Sequence, residues 1–191
     1  MEWRIISTKT NPITIDTHDK TAADQLAAAL RCLISSKQTN PQDIIYLCIG
    51  TDRATGDALG PLAGYLLAKT GLAVYGNLKK PVHAGNLTKT LEKIKHNHKN
   101  PLIIAIDACL GSSDKIGKLV VKEGGLIPAM AMAGAEDLPK TGDISIIGVV
   151  NISAAGSGQC PLAVLSSTRL GTVMHMAEVI AAGIIASASF L

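Results

Sequence analysis

Three nearly continuous apolar runs constrain the fold more than any other feature of this chain. They are IIYLCI at 44–49, LIIAI at 102–106 and ISIIGVV at 144–150. A strand buried on one face alternates apolar and polar residues, whereas a strand buried on both faces is apolar throughout. The runs therefore predict inner strands of a parallel sheet that is covered by helices on both sides.

The segments between these runs complete an alternating pattern of strands and helices. Apolar residues recur at helical spacing over 21–35, 58–70, 87–98 and from about 161 onward. Shorter strands are predicted at 73–75 and 117–122, and Thr21 with Asp24 predicts a capped helix start. We expect one domain over 1–191 with a three-layer α/β/α architecture, a mostly parallel twisted sheet and helices on both faces.

Composition narrows the possible partners. The 191 residues are 47% hydrophobic but only 3% aromatic, so aliphatic side chains must fill the core. The net charge is +3, and no run of Lys or Arg is dense enough for a nucleic-acid patch: Lys79–Lys80 is too short, and Lys93, Lys95 and Lys99 are spread along one predicted helix. Base-stacking aromatics are also scarce. We therefore expect no nucleic-acid partner.

Cysteine usage and the chain ends indicate a cytoplasmic protein without a membrane anchor. The four cysteines form no CxxC pair, and the N-terminal residues lack the apolar core of a signal peptide. The apolar stretch 173–191 contains His175 and Glu178. We expect it to be a buried packing helix or the interface of a homo-oligomer, and not a membrane span.

Two aspartates follow buried strands and form the main candidate site. Asp57 stands in the loop after strand 43–49, just before a helix, and Asp107 ends the apolar strand that begins at Pro101. Ends of parallel strands share one edge of a sheet. Two carboxyl groups held close there form an acid–base pair, or hold a divalent ion that supplies hydroxide. The alternative is that Asp57 only caps its helix.

The motifs GTDRATGDALGP and IDA at 106–108 resemble the germination proteases of spore-forming bacteria. With PVHAGNL and VNISAAGSGQCP, the chain is still more similar to the smaller YyaC-type sporulation proteins grouped with that protease, most strongly over about 43–160. The resemblance implies a sporulation-linked cytoplasmic peptidase, in the forespore or spore core, with Asp57 and Asp107 as catalytic residues. Its implied partners are protein or peptide substrates such as small acid-soluble spore proteins.

The same loops resemble those of hydrogenase maturation proteases, which implies a phosphorylase/hydrolase-like fold. Those proteins bind nickel through two acidic residues and a histidine, and Asp57 and Asp107 match the two carboxylates. Asn151 follows the third buried strand where a histidine is needed, and His83 is the one loop histidine near the expected edge. We therefore expect no cofactor; if a divalent metal binds, Asp57 and Asp107 are its expected ligands.

Other functions remain open from the residues. The chain is much shorter than the germination proteases, which favours as the alternative a catalytically inactive peptide-binding or assembly protein of the same fold. Cys160 before Pro161, or Cys109 near Asp107, would suit a cysteine hydrolase. Glycine-rich loops could bind phosphate, although neither matches a nucleotide motif.

Asn86 is expected to cap helix 87–98, and His98 to be a solvated helix-end residue.

Overall fold

A single six-stranded sheet organises the chain. The computed structural model describes residues 11–37, 43–128, 139–153 and 158–189, and the strand order is β1-β5-β6-β4-β2-β3. Strands β2, β3, β4 and β6 run parallel, while β5 is antiparallel to both of its neighbours. The strands are β1 Ile13–Asp16, β2 Asp43–Cys48, β3 Ala73–Tyr75, β4 Pro101–Gly111, β5 Lys118–Glu123 and β6 Ile144–Ile152.

Helices cover both faces of this sheet, which confirms the predicted α/β class and its three layers. The helices are α1 Ala22–Ser35, α2 Leu59–Leu67, α3 Leu87–Asn97, α4 Pro161–Ser166 and α5 Leu170–Ala188. Ile104 and Ile106 of β4 pack in the core beneath α1, α2 and α5. Ile103 and Ala105 point the other way and pack with Leu87 and other residues of α3. Alternation along β4 thus assigns each residue to one of two cores.

Helix α5 is long and apolar enough, by length and composition, to cross a membrane. In the fold it packs against α1 and α2, and its side chains at Val173, Met176 and Ile180 are fully buried. A Cβ at Gly183 would collide with Leu26 of α1, so the glycine allows the two helices to approach closely. The packing role predicted for this stretch is confirmed for the described part of the helix.

One local prediction, the cap at the start of α1, is wrong. The side chain of Thr21 does not cap α1; instead Asp19 accepts hydrogen bonds from the Thr21 amide and hydroxyl, at 2.8 Å each. The Asp19 carboxylate, two residues upstream, binds both Thr21 donors in a local turn, and this turn forms in place of the cap. The helical segment predicted from about residue 161 is confirmed at its start, Pro161, and consists of two helices, α4 and α5.

Candidate functional site

The carboxyl edge of the sheet, where the parallel strands end, is built around the end of β2. The Ile49 amide donates to the Ile106 carbonyl of β4 at 2.8 Å, and the Gly50 amide donates to the Val82 carbonyl at 2.7 Å. Gly50 has φ +135°, and a Cβ there would collide with the Asp57 carbonyl. This glycine lets the chain turn sharply, so loop 50–58 and loop 81–86 meet at one point.

Asp57 lies in a short 3-10 helix, Gly56–Ala58, and its carboxylate folds back onto its own loop. Oδ2 accepts a hydrogen bond from the Thr51 amide at 2.8 Å, and the start of α2 has no side-chain cap. The capping interpretation is therefore wrong. Burial raises the pKa of Asp57, while the Thr51 hydrogen bond and the positive charge of His83 act in the opposite direction.

Asp107 lies within β4 and not after it, because β4 continues to Gly111. Its partner strand β6 is long enough to pair with all of these extra residues, from Ile147 opposite Asp107 to Ile152 opposite Gly111. On the other side, the last pair between β2 and β4 joins Cys48 to Ile106. Asp107 is thus the first residue of β4 beyond β2, and it is only 7% exposed.

The side chain of Asp107 lies on the sheet face that α3 covers, by alternation with its neighbours Ala105 and Cys109. Its Oδ1 accepts a hydrogen bond from the Ala108 amide at 2.9 Å. The 3-10 helix that carries Asp57 packs against β4. The structure therefore brings the elements carrying the two predicted aspartates together at the carboxyl edge.

Loop 81–86 holds His83 at the same edge. The Asn86 side chain accepts from the His83 amide at 2.8 Å and donates to the Pro81 carbonyl at 3.0 Å. Asn86 therefore braces this loop and does not cap α3, contrary to the prediction. When the ring is neutral, His83 Nδ1 accepts from the Gly85 amide at 3.2 Å and the ring proton is on Nε2.

The sequence identified His83 only as a loop histidine near the expected edge. Its electrostatic influence on Asp57 follows from the pairing of Gly50 with Val82, which the sequence does not reveal. Asp57, His83 and Asp107 are the three residues of this edge that the sequence singled out as possible metal ligands. Within the described residues, no three histidine, cysteine or acidic side chains are placed to hold one metal ion.

Cys109 lies two residues beyond Asp107 on the same face of β4. Burial and the Asp107 charge raise the pKa of the Cys109 thiol to about 12, with Lys115 acting weakly in the other direction. A thiol is a good nucleophile only as the thiolate. The structure therefore argues against Cys109 as the nucleophile of a cysteine hydrolase.

Cys160 is exposed at the start of α4 and borders a shallow cleft of about 410 Å³. The Asn151 side chain donates to the Val164 carbonyl and the Thr168 hydroxyl, at 3.1 Å each. Asn151 therefore attaches α4 to the end of β6. This structural role accounts for the asparagine at the position where a histidine ligand was considered.

His98 is a residue that sequence reasoning missed. Its Nδ1 lies 2.9 Å from Asp43 Oδ2, and its Nε2 lies 3.0 Å from the Tyr75 hydroxyl. Asp43 begins β2 and Tyr75 ends β3, so only the folded sheet brings them to one imidazole. The solvated role predicted for His98 is wrong.

Together, the fold and this edge define a three-layer α/β protein with two acidic residues at the carboxyl edge of a mostly parallel sheet. Residues 14–183 match the family described as "Protein of unknown function (DUF1256)", and the chain belongs to that family. It is 42% identical over 169 residues to "Uncharacterized protein YyaC" of Bacillus subtilis (strain 168). The match covers 87% of this chain and 78% of that relative. The predicted YyaC-type relationship is confirmed, and the link to germination proteases stays a prediction.

Proposed function

We propose that this protein is a cytoplasmic, sporulation-linked peptidase that hydrolyses peptide bonds with Asp57 and Asp107. The observation that carries the proposal is that the 3-10 helix of Asp57 packs against β4, the strand that contains Asp107. Buried carboxyl groups in such a position are typical of acid–base catalysis, because desolvation keeps one of them protonated at higher pH. The proposed substrates are proteins or peptides, with small acid-soluble spore proteins first among them.

The two carboxyl groups would have different tasks. Burial raises the pKa of Asp57, so this group is suited to hold a proton and give it to the leaving amine. Asp107 would act as the base and take a proton from the water that attacks the scissile carbonyl carbon. No covalent intermediate forms in this scheme, which agrees with the high pKa of the neighbouring Cys109 thiol.

The test is cleavage of a purified small acid-soluble spore protein, and of unfolded casein as a general substrate, followed by mass spectrometry. Asp57→Asn and Asp107→Asn should each reduce the cleavage rate by at least about a hundredfold, the scale of acid–base catalysis. Asp52→Asn and Asp114→Asn are matched controls, because both aspartates are exposed. Each control should cleave within about threefold of the parent.

Two results would count against the peptidase. If the Asp57 and Asp107 variants cleave at the rate of the parent, the paired carboxyl groups do not carry the reaction. If the folded parent cleaves neither substrate but binds the spore protein, the inactive peptide-binding alternative replaces the proposal. Circular dichroism of each variant separates loss of catalysis from loss of folding.

A further inference from the structure

The segment 76–100 carries an unusual share of the positive charge. It holds six of the 18 basic residues of the chain but only one of the 15 acidic residues, Glu92. The remainder of the chain consequently has more acidic than basic residues. We call these six side chains the lysine face: Lys79, Lys80, Lys89, Lys93, Lys95 and Lys99.

The fold leaves these lysines exposed, and three of them lie on helix α3. Helix α3 buries Leu87 and Ile94 against the sheet, and all six lysines are exposed. Lys89 and Lys93 are one helical turn apart on the surface opposite to the buried side chains, and His96 extends the same row. The two ion pairs found in the described part of the chain, Lys37–Glu123 and His98–Asp43, involve none of these lysines.

We propose that the lysine face binds an acidic stretch of a partner polypeptide. This goes beyond the proposed peptidase, because the outward row of α3 is separate from the carboxyl groups of Asp57 and Asp107. A row of compact ammonium groups suits flexible carboxylate side chains, which can approach each charge independently. Complementary charge raises the association rate and selects acidic partners over basic ones.

The residue types disfavour the other anionic partners. The segment 76–100 has no arginine, which is the usual residue for bidentate phosphate contacts, and no phenylalanine, tyrosine or tryptophan on which a base could stack. A helix that inserts into a membrane surface needs large apolar side chains beside the basic ones, whereas purely electrostatic attachment to anionic lipids does not. The large exposed apolar residues of the described chain all lie outside this segment, at Ile13, Tyr65, Ile116, Ile152, Leu162, Leu170 and Ile185.

The test is fluorescence anisotropy of a labelled oligoglutamate peptide of about 20 residues at low ionic strength, about 0.02 M, where surface charges are least screened. Lys89→Glu with Lys93→Glu should weaken binding by about tenfold or more. The matched control is Lys20→Glu with Lys140→Glu, which makes the same change in net charge at exposed lysines elsewhere. The control should bind within about threefold of the parent.

The same assay is run with a single-stranded oligonucleotide of equal charge and with vesicles containing phosphatidylserine. Tight binding of oligoglutamate that depends on Lys89 and Lys93 supports the proposal. Equal weakening by both charge-reversal pairs would show that only net charge matters and would overturn it. Tighter binding of the oligonucleotide or the vesicles would overturn it in favour of that partner. Because binding is measured without cleavage, the result is independent of peptidase activity.

Discussion

Helix α3 has a histidine near each end, and the two imidazoles relate differently to the nearby carboxylates. At the amino edge, both ring nitrogens of His98 are engaged, one with Asp43 and one with Tyr75. At the carboxyl edge, His83 Nδ1 binds only the Gly85 amide, and its ring acts on Asp57 through charge. Among the described residues, none forms a hydrogen bond with His83 Nε2. The first arrangement fastens the sheet, whereas the second leaves an ionisable group available beside a half-buried carboxyl.

The largest effect on stability should come from replacing Gly50, the glycine that allows the chain to turn sharply at the carboxyl edge. Gly50→Ala puts a methyl group against the Asp57 carbonyl at a φ that only glycine adopts readily, and should cost roughly 3–5 kcal/mol of stability. Gly71→Ala is the control, because its φ is +80° but no atom lies within 4 Å of the added Cβ. It should cost about 1 kcal/mol. Urea unfolding measures both, and equal losses would contradict the close contact at Gly50.

Replacing the two histidines should have different effects on stability. His98→Ala removes two side-chain hydrogen bonds and should lower the free energy of unfolding by about 1–3 kcal/mol. His83→Ala should change it by less than about 0.5 kcal/mol, because that side chain is exposed. A double-mutant cycle of His98→Ala with Tyr75→Phe should show a coupling energy. Equal losses of stability for His98→Ala and His83→Ala would contradict the difference between the two edges of the sheet.

The pH dependence of stability should have opposite signs at two aspartates. Burial raises the folded-state pKa of Asp57. The contribution of this carboxyl group to the free energy of unfolding is therefore fully present below the unfolded pKa and is lost as pH rises through the folded pKa. Asp57→Asn should therefore raise Tm near neutral pH, by about 1–3 °C. This gain should disappear below about pH 3.

Asp114 gives the matching comparison. Hydrogen bonding from the Ser112 side chain lowers the pKa of the exposed Asp114 carboxyl. The contribution of Asp114 to the free energy of unfolding is present above the unfolded pKa and is lost as pH falls through the folded pKa. Asp114→Asn should therefore lower Tm at neutral pH. A decrease in Tm for Asp57→Asn at neutral pH would contradict the desolvated carboxyl.

The smallest effect on activity is expected from alkylation of the cysteines with iodoacetamide at pH 8. The pKa values of Cys48 and Cys109 are raised to about 12 by burial, so neither thiol forms appreciable thiolate. Cys32 and Cys160 are exposed and should react first, as peptide mapping can show. Peptidase activity should survive this modification. Rapid labelling of Cys109 would contradict its desolvation and reopen the cysteine-hydrolase mechanism.

The sequence predicted the elements that depend on local pattern. The apolar runs placed β2, β4 and β6 within a few residues, and α3 was predicted within one residue of its end. Asp57 and Asp107 were predicted at one edge because neighbouring parallel strands run in the same direction, and β2 and β4 are parallel neighbours. These features follow from hydrophobic periodicity and from the direction of the strands.

What the sequence could not predict depends on contacts between distant residues. The length of β4 is set by its partner β6, so Asp107 lies inside a strand although the apolar run stops there. The influence of His83 on Asp57 depends on the pairing of Gly50 with Val82. Asn86 and Thr21 have the residue types of helix caps, but nearby polar groups bind them differently.

The central claim is that Asp57 and Asp107 interact, and carboxyl ¹³C NMR titration tests it most directly. The pKa of Asp57 is measured in the parent, in Asp107→Asn and in His83→Gln. Removing the negative charge of Asp107 should lower the pKa of Asp57, and removing the positive charge of His83 should raise it. An Asp57 titration that Asp107→Asn leaves unchanged would show that the two carboxyl groups do not interact, and would contradict the paired site.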